Sequence, residues 1–158
     1  MDVVVEMDSA DANAAAGLDS KEMPLRILVV EDTEDNRFMM RRLLEISGYR
    51  VSEAVNGQEA VHVAQRDKPA AILMDLSLPM VDGLAATRRI RQLPELKKVP
   101  IIAVSAHDTA DFHAEALAAG CDAYITKPID YVELEDLIAR LVSKYKKLTK
   151  PLGSSRLH

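Results

Sequence analysis

The chain has 158 residues, of which 48% are hydrophobic and 28% charged, so it is large enough for one globular domain and too small for two ordinary ones. Aromatic residues make up only 4% and tryptophan is absent, which argues against an aromatic surface for stacking nucleic-acid bases. The single cysteine excludes an intrachain disulfide, and no apolar run approaches the roughly 18 residues of a membrane-spanning helix, so we predict a cytoplasmic protein without membrane insertion.

The net charge of −5 is unevenly distributed along the chain. Residues 1–22 hold six acidic residues and one lysine and show no helical or strand period, so we predict a disordered acidic leader. Residues 23–148 are predicted to fold as one domain, followed by a flexible tail at 149–158. Residues 144–158 carry five bases and no acid; contact with nucleic acid or a membrane surface is one interpretation, and a solvated helix end is the favoured one.

From Ile27 onward, short apolar runs rich in β-branched residues alternate with segments of helical period. Glycine or proline separates several of these segments, as at Gly48 and Pro100. In chain order, the predicted elements are strand 27–30, helix 36–47, strand 50–54, helix 57–65, strand 71–74, helix 84–93, strand 101–104, helix 111–119, strand 123–126 and helix 134–148. This alternation is typical of an α/β protein with a parallel sheet.

The predicted strands differ in their apolar content. The first, third and fourth are wholly apolar, as expected of strands that are covered on both faces, whereas the second and fifth are mixed or short. The mixed strands are therefore placed at the edges of the sheet. This gives a doubly wound, flavodoxin-like (βα)5 fold with a parallel five-stranded sheet of order 2-1-3-4-5.

Four polar side chains lie at or just after the carboxyl ends of different predicted strands: Asp32, Asp75, Ser105 and Lys127. The carboxyl ends of parallel strands meet at one crevice in an open α/β sheet, so we expect these residues to be neighbours. Each of the four alone is more simply explained as a turn or cap residue. Their coincidence at four strand ends favours a functional site.

Glu31 adds a third carboxylate beside Asp32 and Asp75. Carboxylates held close together are costly unless a cation neutralises them, and a site of few carboxylates suits Mg²⁺ (or Mn²⁺). A metal there would neutralise charge on a phosphoryl group and allow the Asp75 carboxylate to attack phosphorus. Ser105 could donate a hydrogen bond to one phosphoryl oxygen, and Lys127 could pair with another.

These residues stand within longer motifs: Glu31-Asp32, the segment LMDLSLPMVDG at 73–83, Val104-Ser105-Ala106, and YITKP at 124–128. In these motifs and their spacing, residues 25–148 resemble the receiver domain of bacterial two-component response regulators, of the stand-alone kind. The glutamate at the first acidic position, where an aspartate also occurs, is common in that family.

The resemblance implies that Asp75 is the phosphoacceptor and that Asp32 and Asp75 bind the metal directly. Glu31 would act through water, and the backbone carbonyl of Ser77 would be a further ligand. Lys127, followed by a cis peptide bond to Pro128, would point into the crevice.

The resemblance further implies a conformational switch. Ser105 would move toward the phosphoryl group and Tyr124 would turn into the vacated space, which changes the surface formed by the fourth helix, the last strand and the last helix. A simpler alternative is that Tyr124 is an ordinary half-buried aromatic of an edge strand; the switch role is favoured.

Two further positions bear on turnover. Ser77 and His107 stand two residues after Asp75 and Ser105, where side chains border the attacking water in such domains. We predict that they set the lifetime of the aspartyl phosphate. For His107, an ordinary exposed loop histidine is an equal alternative.

The sequence therefore predicts a phosphorelay switch that is no enzyme beyond self-catalysed phosphotransfer and autodephosphorylation. The expected donor is a sensor histidine kinase or a histidine phosphotransfer protein, and the expected output is a protein target. Direct nucleic-acid binding is not expected, because a helix-turn-helix output domain would need roughly 60 further residues. We expect a monomer or a phosphorylation-dependent dimer.

Three rival functions remain. A magnesium-dependent hydrolase of the haloacid-dehalogenase kind would need an aspartate where Ser77 stands, two residues after the nucleophile, for proton transfer. A flavin-binding flavodoxin would need a phosphate-binding loop after the first strand, where residues 31–35 have the wrong charge. A phosphorylation-independent scaffold would not need the complete set of site residues.

Overall fold

A computed structural model describes residues 23–78 and 82–149 of the chain. The strands are β1 (Arg26–Val30), β2 (Arg50–Ala54), β3 (Ala71–Asp75), β4 (Ile101–Ser105) and β5 (Ala123–Thr126). The helices are α1 (Glu34–Ile46), α2 (Gly57–Asp67), α3 (Gly83–Arg91), α4 (Ala110–Ala119) and α5 (Tyr131–Thr149). The predicted leader at 1–22, and the predicted tail beyond Thr149, lie outside the described residues.

The five strands pair in parallel in the order β2-β1-β3-β4-β5, which confirms the predicted fold class and strand order. The strands also end level with one another, since Val30 pairs with both Ala54 and Met74, and Ser105 pairs with Thr126. We call this end of the sheet, with the loops and first helical turns that follow it, the carboxyl edge. It comprises residues 31–35, 55–59, 75–78, 82, 105–111 and 127–133.

Side-chain alternation along the inner strands divides the core between the two faces of the sheet. One face carries Leu28 and Met74 and packs against α2, α3 and α4. The other carries Ile27 and Leu73 and packs against α1 and α5. Because both faces are covered, the inner strands are apolar at consecutive positions. The crevice side chains therefore project from a rigid, fully packed sheet.

The helix boundaries are set by local signals that were partly visible in the sequence. Asp82 caps α3, because its side chain accepts a hydrogen bond of 2.7 Å from the Ala85 amide. Gly120 ends α4 with a φ of 116°, a left-handed conformation that favours glycine. Helix α5 begins at Tyr131, earlier than predicted, because the Asp130 carboxylate accepts hydrogen bonds from the backbone amides of Val132 and Glu133.

A short 3-10 helix, Pro94–Leu96, follows α3 and was not predicted. It places Leu96 in the core under β4. Within the described residues, none of the helices combines the length and apolar character needed to cross a membrane.

Candidate functional site

The predicted site residues meet at the carboxyl edge. Asp75 and Ser105 are the last residues of β3 and β4, Glu31 and Asp32 directly follow β1, and Lys127 directly follows β5. The parallel register brings β1, β3 and β4 side by side, so residues that are distant in sequence become neighbours.

Three carboxylates form the centre of the site. One oxygen atom from each of Glu31, Asp32 and Asp75 lies within 4.8 Å of the others. Glu31 and Asp75 are buried, at 1% and 3% exposure, whereas Asp32 is exposed. The Lys127 ammonium approaches the group, with Nζ 3.3 Å from Asp75 Oδ2 and 3.6 Å from Glu31 Oε1. The site thus contains three carboxylates and one ammonium, which contacts two of them.

Backbone amides hold two of the carboxylates in place. The Thr33 amide donates to Glu31 Oε2 at 3.1 Å, and the Ser77 amide donates to Asp75 Oδ1 at 2.9 Å. The other oxygen of Glu31, Oε1, is buried and accepts no hydrogen bond from any described residue. Lys127 Nζ pairs with Oε1 in charge but is too far away, at 3.6 Å, for a hydrogen bond. Buried acceptors are normally satisfied, so this oxygen can still bind a cation or its water.

The charges in this cluster perturb one another. Burial raises the pKa of Glu31 above its ordinary value, and the negative charges of Asp75 and Asp32 act in the same direction, against the Thr33 amide and the Lys127 ammonium. Burial alone would lower the pKa of Lys127, but the charges of Asp75 and Glu31 outweigh it and raise that pKa. The ammonium therefore stays protonated. The acidic cluster still has an excess of negative charge, which a divalent cation would neutralise.

Ser105 connects the site to the loop between β4 and α4. Its side chain is buried, and its Oγ accepts a hydrogen bond of 3.0 Å from the His107 amide. The His107 carbonyl in turn accepts a hydrogen bond of 2.6 Å from the Tyr124 hydroxyl. His107 is therefore held from both sides, by the two residues of the predicted switch.

Aromatic stacking surrounds Tyr124 and His107. The Tyr124 ring stacks on His113 of α4 with centroids 3.9 Å apart, and the His107 ring stacks on Phe112 at 4.4 Å. The His113 Nε2 atom lies 2.7 Å from Asp108 Oδ1. The loop after β4, α4 and β5 are thus joined by one set of contacts.

Gly83 was quoted in the motif but assigned no role, and the structure gives it one. A Cβ atom at Gly83 would lie 2.4 Å from the Asp75 carbonyl oxygen and 2.7 Å from the Leu76 Cα. Only a residue without a side chain lets α3 begin this close to the end of β3. The signal available in the sequence was the glycine directly after the cap Asp82.

The remaining predicted positions lie where the sequence put them. Ser77 lies exposed in the loop after Asp75, and His107 lies exposed in the loop after Ser105. The peptide bond between Lys127 and Pro128 is cis. The catalytic, metal-binding and turnover roles of these residues stay predictions.

Comparison with known proteins agrees with this geometry. Residues 27–139 match the family described as the response regulator receiver domain. The chain is 41% identical over 107 residues to the polar-differentiation response regulator DivK of Brucella anthropi, covering 68% of this chain and 87% of DivK. It is 36% identical over 132 residues to the response regulator MprA of Mycolicibacterium vanbaalenii, covering 84% of this chain and 55% of MprA.

Solved structures give the same result. The receiver domain of the sensor histidine kinase PA1611 from Pseudomonas aeruginosa, whose crystal structure has a magnesium ion coordinated in the active site cleft, matches with a TM-score of 0.72 and 38% identity. The match covers 76% of this chain and 98% of that domain. Five parallel strands in the receiver order, the acidic crevice at their carboxyl ends and these similarities agree, and the chain belongs to the response regulator receiver domain family.

Proposed function

We propose that this receiver domain is a phosphorylation-dependent switch that accepts a phosphoryl group on Asp75. The observation that carries the proposal is the position of Lys127, whose Nζ lies 3.3 Å from Asp75 Oδ2 at the only buried aspartate among the described residues. An ammonium so placed can pair with an oxygen of an incoming phosphoryl group while the carboxylate attacks phosphorus. The donor is a sensor histidine kinase or a histidine phosphotransfer protein.

The carboxylates fit a hard divalent cation, Mg²⁺ or Mn²⁺. Asp32 and Asp75 would bind it directly, Glu31 through water, and the Ser77 backbone carbonyl would add an oxygen. The feature that favours a cation here is the buried Oε1 of Glu31, which accepts no hydrogen bond from the described residues. When bound, the metal supplies positive charge beside the transferring phosphoryl group.

The chain's own residues orient the reacting groups. The Ser77 amide holds Asp75 Oδ1 through a 2.9 Å hydrogen bond, which leaves the other oxygen, beside Lys127, to act as nucleophile. Ser105 is buried at the adjacent strand end, and its hydroxyl proton is available because its Oγ acts as an acceptor from the His107 amide. Donation of that proton to a phosphoryl oxygen would draw Ser105 toward Asp75.

The switch follows from the contacts of the loop after β4. When Ser105 moves toward the phosphoryl group, its bond to the His107 amide is strained, and His107 is also bonded to the Tyr124 hydroxyl. Tyr124 then turns into the space that Ser105 leaves. Because the Tyr124 ring packs on His113 of α4, this movement changes the surface of α4, β5 and α5, which controls a protein target.

We propose that Ser77 and His107, which lie exposed in the loops after β3 and β4, set the rate of turnover. Phosphate leaves by autodephosphorylation. A substitution of both, Ser77→Ala with His107→Ala, is expected to change the rate of phosphate loss several-fold, measured by intact mass over time. An unchanged rate would remove both residues from this role.

The rival hydrolase of the haloacid-dehalogenase kind differs by its proton shuttle. Ser77 occupies the position where such an enzyme places an aspartate, so rapid catalytic turnover of the phosphoaspartate is not expected. We propose a cytoplasmic signalling protein that acts as a monomer or as a phosphorylation-dependent dimer, without direct nucleic-acid binding or membrane insertion.

The test is incubation of the full chain with magnesium and a small-molecule phosphodonor, followed by intact-mass measurement. The wild type is expected to gain one phosphoryl group, and Asp75→Asn none. Asp122→Asn is the matched control, because it makes the same carboxylate-to-amide change at the opposite end of the sheet and should phosphorylate as the wild type does.

Two outcomes would contradict the proposal. A wild-type chain that gains no phosphoryl mass would exclude a phosphoacceptor and leave a scaffold. Rapid hydrolysis of the donor without accumulation of a phosphorylated chain would instead favour the hydrolase. A pull-down with phosphorylated and unphosphorylated protein then identifies the target.

A further inference from the structure

The two ends of the sheet carry opposite charge. The carboxyl edge holds eleven acidic residues and one base, Lys127. We call the opposite end, where strands begin and helices end, the amino edge; it comprises residues 23–26, 45–50, 65–70, 88–100, 118–122 and 144–147. The amino edge holds four acids and twelve bases. The bases are Arg26, Arg50, Arg66, Lys68, Arg88, Arg89, Arg91, Lys97, Lys98, Lys144, Lys146 and Lys147.

Helix dipoles account for only part of this asymmetry. Bases in the last turn of a helix complement the partial negative charge of its carboxyl end, which explains Lys146 and Lys147 of α5 and the arginines of α3. Arg26 and Arg50 are the first residues of strands. Lys97 and Lys98 lie in the loop before β4. The dipole of a helix therefore does not explain these four bases.

Much of the positive charge is uncompensated within the described residues. Two amino-edge acids, Asp67 and Asp122, are already paired, with Arg66 and Arg91. Lys97, Lys98 and Lys144 are exposed and form no ion pair with a carboxylate of the described residues.

Two surface hollows give this charge a shape. One, of about 290 Å³, is lined by Lys97, Lys98, Lys144 and Tyr145 among others. The second, of about 370 Å³, is also lined by Tyr145 and includes Arg26, Arg50 and Lys68. Because both hollows are lined by Tyr145, the two groups of basic residues adjoin each other on the amino edge.

We infer that residues 1–22 of the same chain bind this surface. They carry six acids, Asp2, Glu6, Asp8, Asp11, Asp19 and Glu22, against Lys21 alone. The described chain begins at Met23, which itself lines the second hollow, so the acidic segment emerges beside the bases. The carboxyl edge repels the same segment through its own carboxylates. The segment thereby covers the amino edge and stays away from the Asp75 crevice.

The energetics suit an intramolecular contact. Because residues 1–22 are covalently joined to the amino edge at Met23, their effective concentration at this surface is about 1 mM. A single exposed ion pair contributes little to binding, so the contact needs several of them at once. The contact is screened as salt rises, since the Debye length falls from about 10 Å at 0.1 M to about 3 Å at 1 M.

The test uses the full chain with a nitroxide spin label on Ala12→Cys and measures paramagnetic broadening of backbone amide signals by NMR. Cys121 is buried with its pKa raised to about 11 by burial, so the introduced thiol takes the label. The matched control carries the same label and a leader of equal length in which the six acids are replaced by Asn or Gln.

We expect amide signals at 66–70, 91–98 and 144–147 to fall about twofold below those of the neutral-leader control, and 1 M NaCl to restore them. Signals at 107–111 and 130–133 should be unaffected. Equal broadening in the two leaders would assign the effect to tether geometry and overturn the inference. A second experiment mixes spin-labelled protein with unlabelled, isotope-enriched protein. Broadening that occurs only in this mixture would show that the leader of a second copy binds the surface, and it would also overturn the inference.

Discussion

The amino and carboxyl edges of the sheet use the same types of charged side chain in opposite ways. At the amino edge, the Arg91 guanidinium donates to Gly120 O and Leu96 O, both at 3.0 Å, and to the Asp122 carboxylate at 2.8 Å. At the carboxyl edge, three carboxylates crowd within 4.8 Å and share a single ammonium. The charge of Arg91 is fully partnered at the amino edge, whereas the carboxylates of the crevice are left with an excess of negative charge.

This difference separates structural from functional charge. A carboxylate that is paired and hydrogen-bonded, like Asp122 with Arg91 and the Ile101 amide, stabilises the fold. A carboxylate crowded by others, like Glu31, costs stability until a cation is bound. The crevice therefore keeps an excess of negative charge, which the proposed metal and phosphoryl chemistry would use, while Arg91 and Asp122 hold elements together at the other end.

The largest expected effect comes from a steric clash where α3 begins next to the end of β3. Gly83→Ala places a Cβ 2.4 Å from the Asp75 carbonyl oxygen, which is backbone and cannot move aside. The start of α3 must shift away from β3, and we expect a loss of about 3 kcal/mol in the free energy of unfolding, measured by urea denaturation.

Gly48→Ala is the control for the loss of glycine as such. Gly48 has a φ of 101° but no atom within 4 Å of a Cβ, so only backbone strain of about 1–2 kcal/mol is expected. A Gly83→Ala protein no less stable than Gly48→Ala would show that the close approach of α3 to β3 is not required.

Asp122→Asn opens the amino edge. The amide can still accept from the Ile101 amide, but the charge that pairs with Arg91 is lost. We expect unfolding free energy to fall by about 1–2 kcal/mol, with no change in the response to magnesium. Stability equal to the wild type would mean that Arg91 is held by the Gly120 and Leu96 carbonyls alone.

Asp75→Asn makes the same chemical change at the carboxyl edge and should change the free energy of unfolding in the opposite direction. Removing one of three crowded charges leaves Lys127 paired with Glu31, so in EDTA we expect stability to rise by about 1 kcal/mol. The stabilisation by magnesium that is expected of the wild type should be absent from Asp75→Asn. Destabilisation in EDTA would instead indicate that the contact with Lys127 outweighs the repulsion.

Backbone topology was predictable because it depends on local patterns. Apolar runs such as Ile27–Val30 and Ile101–Val104 marked strands covered on both faces, and their order followed from which runs were mixed. The approach of Asp32, Asp75 and Lys127 also followed, since parallel strands end at one edge whatever the side chains do.

Side-chain contacts away from the carboxyl ends of the strands were not predictable. The clamp of Arg91 on Asp122 joins α3 to the loop before β5, and neither residue stands in a periodic pattern. The space at Gly83 depends on how closely two backbones approach, which a sequence does not encode locally. Helix α2 extends to Asp67, two residues past its predicted end, where Lys68 ends it in a left-handed conformation that is unusual for lysine.

The smallest expected effect is a contrast in pH dependence between two acids. At the amino edge, the hydrogen bond from Arg66, followed by that from Ser52, outweighs burial and lowers the pKa of Asp67 to about 2. Its contribution to stability is present above its unfolded pKa of about 3.8 and is lost as pH falls toward 2. Asp67→Asn should therefore reduce stability at pH 6 and have little effect near pH 2.

Glu31 should show the opposite slope. Burial, with the charges of Asp75 and Asp32, raises its pKa above 4.5, so the folded state holds this proton more tightly than the unfolded chain. Between 4.5 and the folded pKa the folded state binds more protons, and the stability from this group falls as pH rises. In EDTA, the free energy of unfolding of Glu31→Gln should therefore increase relative to that of the wild type as pH rises from 4 to 7, by less than about 1 kcal/mol. Magnesium should cancel that gain, because the cation takes the place of the proton; a gain that persists in magnesium would mean that Glu31 is not part of the metal site.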